Sequence, residues 1–245
     1  MLACQSLFAA DAYRVDWKAL EPEILEHYRN LICIDTSSPP GNETKAAEYI
    51  RKVLEREGIP ARIYELEPGR GNVLARLRGN GSKKPILLMG HLDVVGVQRE
   101  KWTVDPFAAL GKDGYIYGRG SIDDKDKVTS ALMTVLLLKR LKAPLDRDVI
   151  FLGEAGEEGD SRVGIGYMVS QHWDEIACEF AITEGGTTTS RDGKVRTVEI
   201  AATEKVRARE TYTGIGPDSF VERFELAEPG KEFELYSETS FHRKK

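Results

Sequence analysis

Two short, uninterrupted apolar runs constrain this chain most: Ile86-Leu87-Leu88-Met89-Gly90 after Pro85, and Val149-Ile150-Phe151-Leu152-Gly153 after Asp148. A strand with one wet face alternates apolar and polar residues, whereas an uninterrupted run needs cover on both faces. Helices supply such cover, and helical periods flank both runs. Leu20, Ile24, Leu25, Tyr28, Leu31 and Ile32 repeat at helical spacing between Asp16 and Cys33. A second helix is predicted from Glu43 to Glu57, stopping at Gly58-Ile59-Pro60, and a third from Lys127 to Lys142, closed by Ala143-Pro144. Arg62 to Leu66 and Asn72 to Leu77 alternate as strands, Asp113-Gly114 turns into Tyr115-Ile116-Tyr117, and Phe180 to Thr183 reads as a third buried strand. The expected class is α/β, a mostly parallel sheet flanked by helices.

Bulk properties exclude several functions. The net charge of −5 offers no basic stripe to neutralise phosphates, so nucleic acid is not the expected partner. The short basic clusters at Lys83-Lys84 and Lys139-Arg140 read as solvated faces. No run approaches the ~18 apolar residues of a membrane span. Cys4, Cys33 and Cys178 are far apart and form no C-x-x-C, which leaves free thiols instead of a disulfide scaffold or zinc knuckle. Residues 1–16 stand apart: Met1 to Ala10 is mostly apolar without a basic start, either the remnant of a secretory signal or a frayed end. Beyond Val206 the pattern dissolves, and 207–245 is expected to be a disordered tail.

In open α/β sheets, ligands bind beyond the carboxyl ends of the strands. Three chemically loaded segments lie there, after Met89, after Leu152 and after Thr183, and a fourth precedes a helix. His91 and Asp93, two residues apart, point to one face of an extended chain, so Asp93 could hold the second nitrogen of a metal-bound His91. Asp123-Asp124-Lys125 follows a Gly-Arg-Gly turn and precedes a helix; taken alone the acids read as caps, but two adjacent acids after a Gly-rich approach also suit a carboxylate bridging two cations. Glu157-Glu158, with Glu154 close by, crowd like charges that need a cation or a proton between them, and only Arg162 is near in sequence. Glu184-Gly185-Gly186 alone is most often a turn. Together His91, Asp123, Glu158 and Glu184 form a sulfur-free N/O donor set suited to two divalent ions in a catalytic setting, zinc first, with cobalt or manganese fitting the same donors. Three carboxylates nearly neutralise two such ions and leave positive charge to activate water. Glu157, free of the metal, would take the water's proton and pass it to a leaving amine.

These segments resemble the di-zinc metallopeptidase and amidohydrolase family that includes carboxypeptidase G, aminoacylase, acetylornithine deacetylase and succinyl-diaminopimelate desuccinylase. The matching blocks are Leu88 to Val95, Trp102 to Phe107, Asp113 to Lys125, Glu154 to Gly159 and Thr183 to Gly186, in order within residues 17–206. The resemblance implies a zinc-exopeptidase-like catalytic domain acting on small peptides or N-acyl amino acids. By it, His91 binds one zinc, Asp123 bridges both, Glu158 binds the other and Glu184 completes the first. Glu157 is then the general base, Asp93 the partner of His91, and Asp123-Asp124 a candidate cis peptide.

The chain also departs from that pattern. Asp126 stands where the family usually has Gly after Asp-Asp-Lys. The family's lid domain, inserted after a strand corresponding to Thr197 to Thr203, and its final histidine ligand find no match after Val206, and His242 has no supporting context. The expectation is a domain incomplete at its C-terminus, exposing apolar sheet surface, holding one zinc through His91, Asp123 and Glu184 and a second poorly, with little activity. The alternatives are a metal-binding pseudoenzyme or interaction fragment, dimerising through the uncovered surface, and a purely structural α/β domain.

Overall fold

The computed structural model describes residues 13–184 and, beyond them, the backbone strands within 187–242. The chain divides into one unit ending at Glu184 and a second from Gly185 to Lys245. The first contains helix α1 (Trp17–Cys33), the two-residue strand β1 (Ser37–Ser38), α2 (Glu43–Arg56), β2 (Ala61–Glu65), β3 (Gly71–Leu77), β4 (Ile86–His91) and β5 (Val94–Val95). The hairpin β6 (Leu110–Lys112) and β7 (Tyr115–Tyr117), α3 (Lys125–Arg140), β8 (Val149–Glu154), α4 (Ile165–Gln171), α5 (Trp173–Ile176) and β9 (Phe180–Ile182) follow.

The sheet runs β2-β3-β8-β4-β9. It is parallel across β8, β4 and β9, the strands that carry the chemistry, and antiparallel where β3 joins β8 and β2 joins β3. Strand alternation assigns side chains to two faces. Val73, Ala75, Leu88, Val149 and Phe151 pack with α1, α2 and α3, while Leu74, Leu87, Ile150 and Leu152 pack with Met168 of α4 and Ile176 of α5. Every residue of β8 is buried, as its unbroken apolar run requires. Burial of each such Leu, Ile, Val or Phe contributes about 1.5–3 kcal/mol. Strand β9 departs from expectation. Among the described residues it is the sheet's edge, paired on one side only, and Phe180 and Ile182 are 56% and 57% exposed. An apolar run predicts two covered faces only when neighbours exist to cover them.

The basic clusters behave as solvated or structural groups. Arg140 ties the ends of α2 and α3 to α1 through Glu57 at 2.8 Å and Glu23 at 2.6 Å. Lys83 pairs with Asp146 at 2.6 Å. No helix among the described residues is long and apolar enough to cross a membrane.

The second unit is an antiparallel meander, β10 (Thr187–Arg191), β11 (Lys194–Glu199), β12 (Arg207–Thr213), β13 (Ser219–Ala227) and β14 (Glu234–His242), neighbours in sequence pairing in space. Strands thus stand where a disordered tail was expected. The anticipated break at 206 falls between two paired strands, Val198 of β11 lying opposite Glu210 of β12. Polar strands interrupted by Gly and Pro loops carry little periodic signal, which is why sequence pattern missed them. Residues 1–12, with the signal-remnant expectation and Cys4, lie outside the described residues, as does the side chain of His242.

Candidate metal centre

The parallel strands deliver three of the four loaded segments to one end of the sheet. His91 is the last residue of β4, Glu154 the last of β8 and in register with it, and Glu184 follows β9 by two residues. The fourth segment arrives at the start of α3, where the Asp123–Asp124 peptide is cis, as the family resemblance implied. Gly90 makes this approach feasible: a Cβ there would lie 2.5 Å from Asp124 Oδ2 and 2.9 Å from Val128.

His91 is the hub. Its side chain is 1% exposed, and Nε2 faces Asp123 Oδ1 at 2.8 Å, Glu184 Oε1 at 3.4 Å and Glu157 Oε2 at 3.9 Å. Nδ1 lies 3.0 Å from the Asp93 carbonyl and 3.4 Å from Asp93 Oδ1, so Asp93 does sit behind the imidazole, through both backbone and side chain. Ligand atoms of His91, Asp123 and Glu184 lie within 4.8 Å of one another, as do those of His91, Glu157 and Glu158. All six predicted site residues therefore converge. The grouping differs in one respect: Glu158 gathers with His91 and Glu157, and not with Asp123.

Two competing explanations for the acids fail on geometry. Asp124 occupies the N-cap position of α3, yet its side chain makes no capping hydrogen bond. Instead its buried Oδ2 accepts the backbone N–H of His91 at 3.1 Å. Arg162 does not neutralise Glu157 and Glu158 either, since it pairs with Asp160 at 3.0 Å and with Glu67. What holds the Glu157-Glu158 loop is Asp93, whose two carboxylate oxygens accept the backbone N–H groups of Glu157 and Glu158, each at 3.1 Å. One buried carboxylate thus orients both the imidazole, as its two-residue spacing suggested, and the paired acids, which no sequence spacing reveals.

Charge crowding leaves its mark on protonation. For His91, burial works against the charged form, but hydrogen bonds to Asp93 and Asp123 and the charge of Glu184 outweigh it and raise the pKa to about 10. Burial, reinforced by Glu184, lifts Asp124 to about 6. Burial lifts Glu154 to about 7, and its Oε2 has no hydrogen-bond partner. Glu158 and Glu184 are raised too, by burial first and by Asp123 next among the acids. Acids driven toward neutrality crowd one imidazole, and Asp124 and Glu154 each have a buried carboxylate oxygen without a hydrogen-bond partner, an arrangement that suits a cation among them. The donors are nitrogen and oxygen only, so the residues fit a divalent ion.

Two lysines carried no prediction. Lys125 is 1% exposed and donates to the carbonyls of Leu31 and Ile34 at 2.8 and 2.6 Å, closing the C-terminal end of α1. Burial lowers its pKa to about 8. Lys127 lies beside Asp124 and Glu184. Their detectable signal was the presence of two cations in the first turn of a helix, where the dipole disfavours them. The other described histidines are elsewhere: His27 bonds Tyr49 at 2.7 Å, and His172 packs against Tyr64 and Tyr167.

Known proteins place this arrangement. The model of peptidase family M20/M25/M40 matches residues 87–236, continuing past residue 206. N-formyl-4-amino-5-aminomethyl-2-methylpyrimidine deformylase of Halalkalibacterium halodurans is 34% identical over 140 residues, 56% of this chain and 33% of that protein. The human N-fatty-acyl-amino acid synthase/hydrolase PM20D1 is 34% identical over 157 residues, 61% of this chain and 31% of that one. The chain spans about a third of the length of these curated relatives. Among solved structures, the M20 family metallo-carboxypeptidase Sso-CP2 from Sulfolobus solfataricus matches with a TM-score of 0.62 at 24% identity, over 80% of this chain and 44% of that one. Its likeness bears on the fold alone. By the extent of the family match, the chain belongs to peptidase family M20/M25/M40.

Proposed function

We propose that this chain carries the metal centre of a hydrolase of amide bonds, acting on small peptides or N-acyl amino acids. The observation that carries the reading is the convergence of Asp123, Glu184 and Glu157 on the Nε2 of a buried histidine, at the carboxyl end of parallel strands. The names of the relatives, a deformylase and an N-fatty-acyl-amino acid synthase/hydrolase, support the same class of bond. In this reading His91, Asp123 and Glu184 hold one divalent ion, zinc for preference, and Glu158 with the shared Asp123 holds a second. Ions held there would polarise the scissile carbonyl and acidify water. Asp93 keeps the imidazole oriented and its Nδ1 occupied. Glu157, with its side chain 47% exposed, faces the substrate side, takes the proton from water and delivers it to the departing nitrogen.

A second reading, a metal-binding protein without turnover, is favoured by one observation. Among the described residues both donor groups share the single imidazole of His91, which leaves the second ion to carboxylates alone. Incubating the 245-residue chain with a panel of N-acyl amino acids separates the two. The proposed activity predicts amine release that stops on chelation and returns with added zinc or cobalt. Release indifferent to chelation would contradict it, and a metal-loaded chain that releases nothing would favour the second reading.

A further inference from the structure

We propose that Lys127 is a positioning residue for Glu184: its ammonium holds that carboxylate toward the His91 imidazole and so sets the metal affinity of the His91–Asp123–Glu184 group. The inference rests on the reading of that group as a metal site.

Lys127 stands in the first turn of α3, where unpaired N–H groups and the helix dipole favour acids over cations. Asp126, its neighbour, follows that preference; Lys127 violates it. A local rule broken without compensation elsewhere in the helix points to a use outside the helix. Its Nζ lies 3.4 Å from Asp124 Oδ1 and 3.8 Å from Glu184 Oε2, and it is the cation within 4 Å of either carboxylate among the described residues, His91 aside. Asp124 is fully buried, with Oδ2 spent on the His91 N–H and Oδ1 lacking a hydrogen bond. The ammonium is therefore anchored on a rigid, core-fixed anion at one end and faces Glu184 at the other.

Glu184 needs such help more than His91 does. His91 is built into a strand with neighbours on both sides, but Glu184 follows the three-residue edge strand β9, whose exposed residues do little to fix it. Its carboxylate is held from two directions, by His91 Nε2 at Oε1 and by Lys127 Nζ at Oε2. At 3.8 Å the latter is a charge contact and not a hydrogen bond. Two effects of the lysine on a bound cation oppose each other. Its charge repels the ion, but with the side chain 45% exposed that repulsion is screened by water and salt. Its hold on Glu184 favours the ion, and loss of such outer partners typically weakens metal binding by about 10–100-fold. The second effect should win, and the sign makes the inference testable.

The test is a zinc or cobalt titration of the full chain, competed against a chelator, for the wild type, Lys127→Met and Lys127→Arg. Lys127→Met should bind its first ion about tenfold more weakly, at the lower end of the range for outer-shell partners. Lys127→Arg, which keeps the cation, should restore binding, and the cobalt absorption spectrum should change in the Met variant only. Circular dichroism of the metal-free proteins should coincide, and Lys127→Gln replaces the Met variant if that one aggregates. Equal or tighter binding by Lys127→Met would mean that the lysine merely repels the ion, and the inference would be lost while the metal site stood. No uptake by the wild type would instead overturn the metal reading, and this inference with it.

Discussion

Glu157→Gln is expected to lower amide hydrolysis by about 10²–10⁴-fold, the usual contribution of a general base. The ions bound should remain the same in number and affinity. Gln preserves the shape and the backbone N–H that Asp93 holds at 3.1 Å, so the loop that carries Glu158 stays in place. What it loses is the ability to accept a proton. The side chain's position suits the proposed role. It stands 3.9 Å from His91 Nε2, farther than Asp123 or Glu184, and is 47% exposed, so it can meet water and substrate. The loss should fall on kcat with KM little changed, since a base acts in the transition state and not in ground-state binding. A variant that instead releases metal would make Glu157 a ligand, in line with the grouping of His91, Glu157 and Glu158.

Metal affinity should collapse on acidification, by about tenfold per pH unit below 10 and so about 10³-fold between pH 9 and pH 6. The cause is His91. Burial opposes its charge, yet hydrogen bonds to Asp93 and Asp123 raise its pKa to about 10 in the metal-free protein. At pH 7 the imidazole is thus protonated, and an ion must displace that proton to reach Nε2. Below pH 7, Glu154 and Asp124, raised by burial to about 7 and about 6, take up protons as well. The same shift governs the metal-free fold. Because the folded pKa of His91 lies above the ordinary imidazole value of 6.5, its contribution is full below pH 6.5 and disappears as pH rises through about 10. Lys125, lowered by burial to about 8 from 10.5, works in the opposite direction between those values. Calorimetric zinc titrations at pH 7 in buffers of different protonation enthalpy should show about one proton released per first ion. A pH-independent affinity with no proton released would contradict the assignment.

How much of this was legible beforehand depended on whether the signal was local. The unbroken runs at Ile86 to Gly90 and Val149 to Gly153 located the two central strands because full burial writes itself into composition. His91, Glu157, Glu158 and Glu184 were visible because loaded residues sat just past strands, Asp123 because paired acids followed a Gly-rich turn, and Asp93 because of its two-residue spacing from His91. The hold of Asp93 on the Glu157-Glu158 backbone was invisible, since those residues are more than sixty positions apart in sequence. Asp124 was read as a cap or a bridging acid, while its carboxylate in fact supports the backbone of His91. Strand β9 was misjudged because an apolar run does not say whether it has one neighbour or two. Strands β12 to β14 escaped because polar antiparallel pairs take their stability from cross-strand partners that a linear pattern does not display.

The central claim is that one buried imidazole and the acids around it bind a divalent ion. The direct measurement is the metal content of the purified chain, by elemental analysis after zinc loading and exhaustive dialysis at pH 8, beside His91→Ala and Asp123→Ala. The account predicts at least one zinc per wild-type chain, none retained by either variant, and unchanged circular dichroism in all three. A wild type that keeps no zinc, or variants that keep as much as it does, would contradict it.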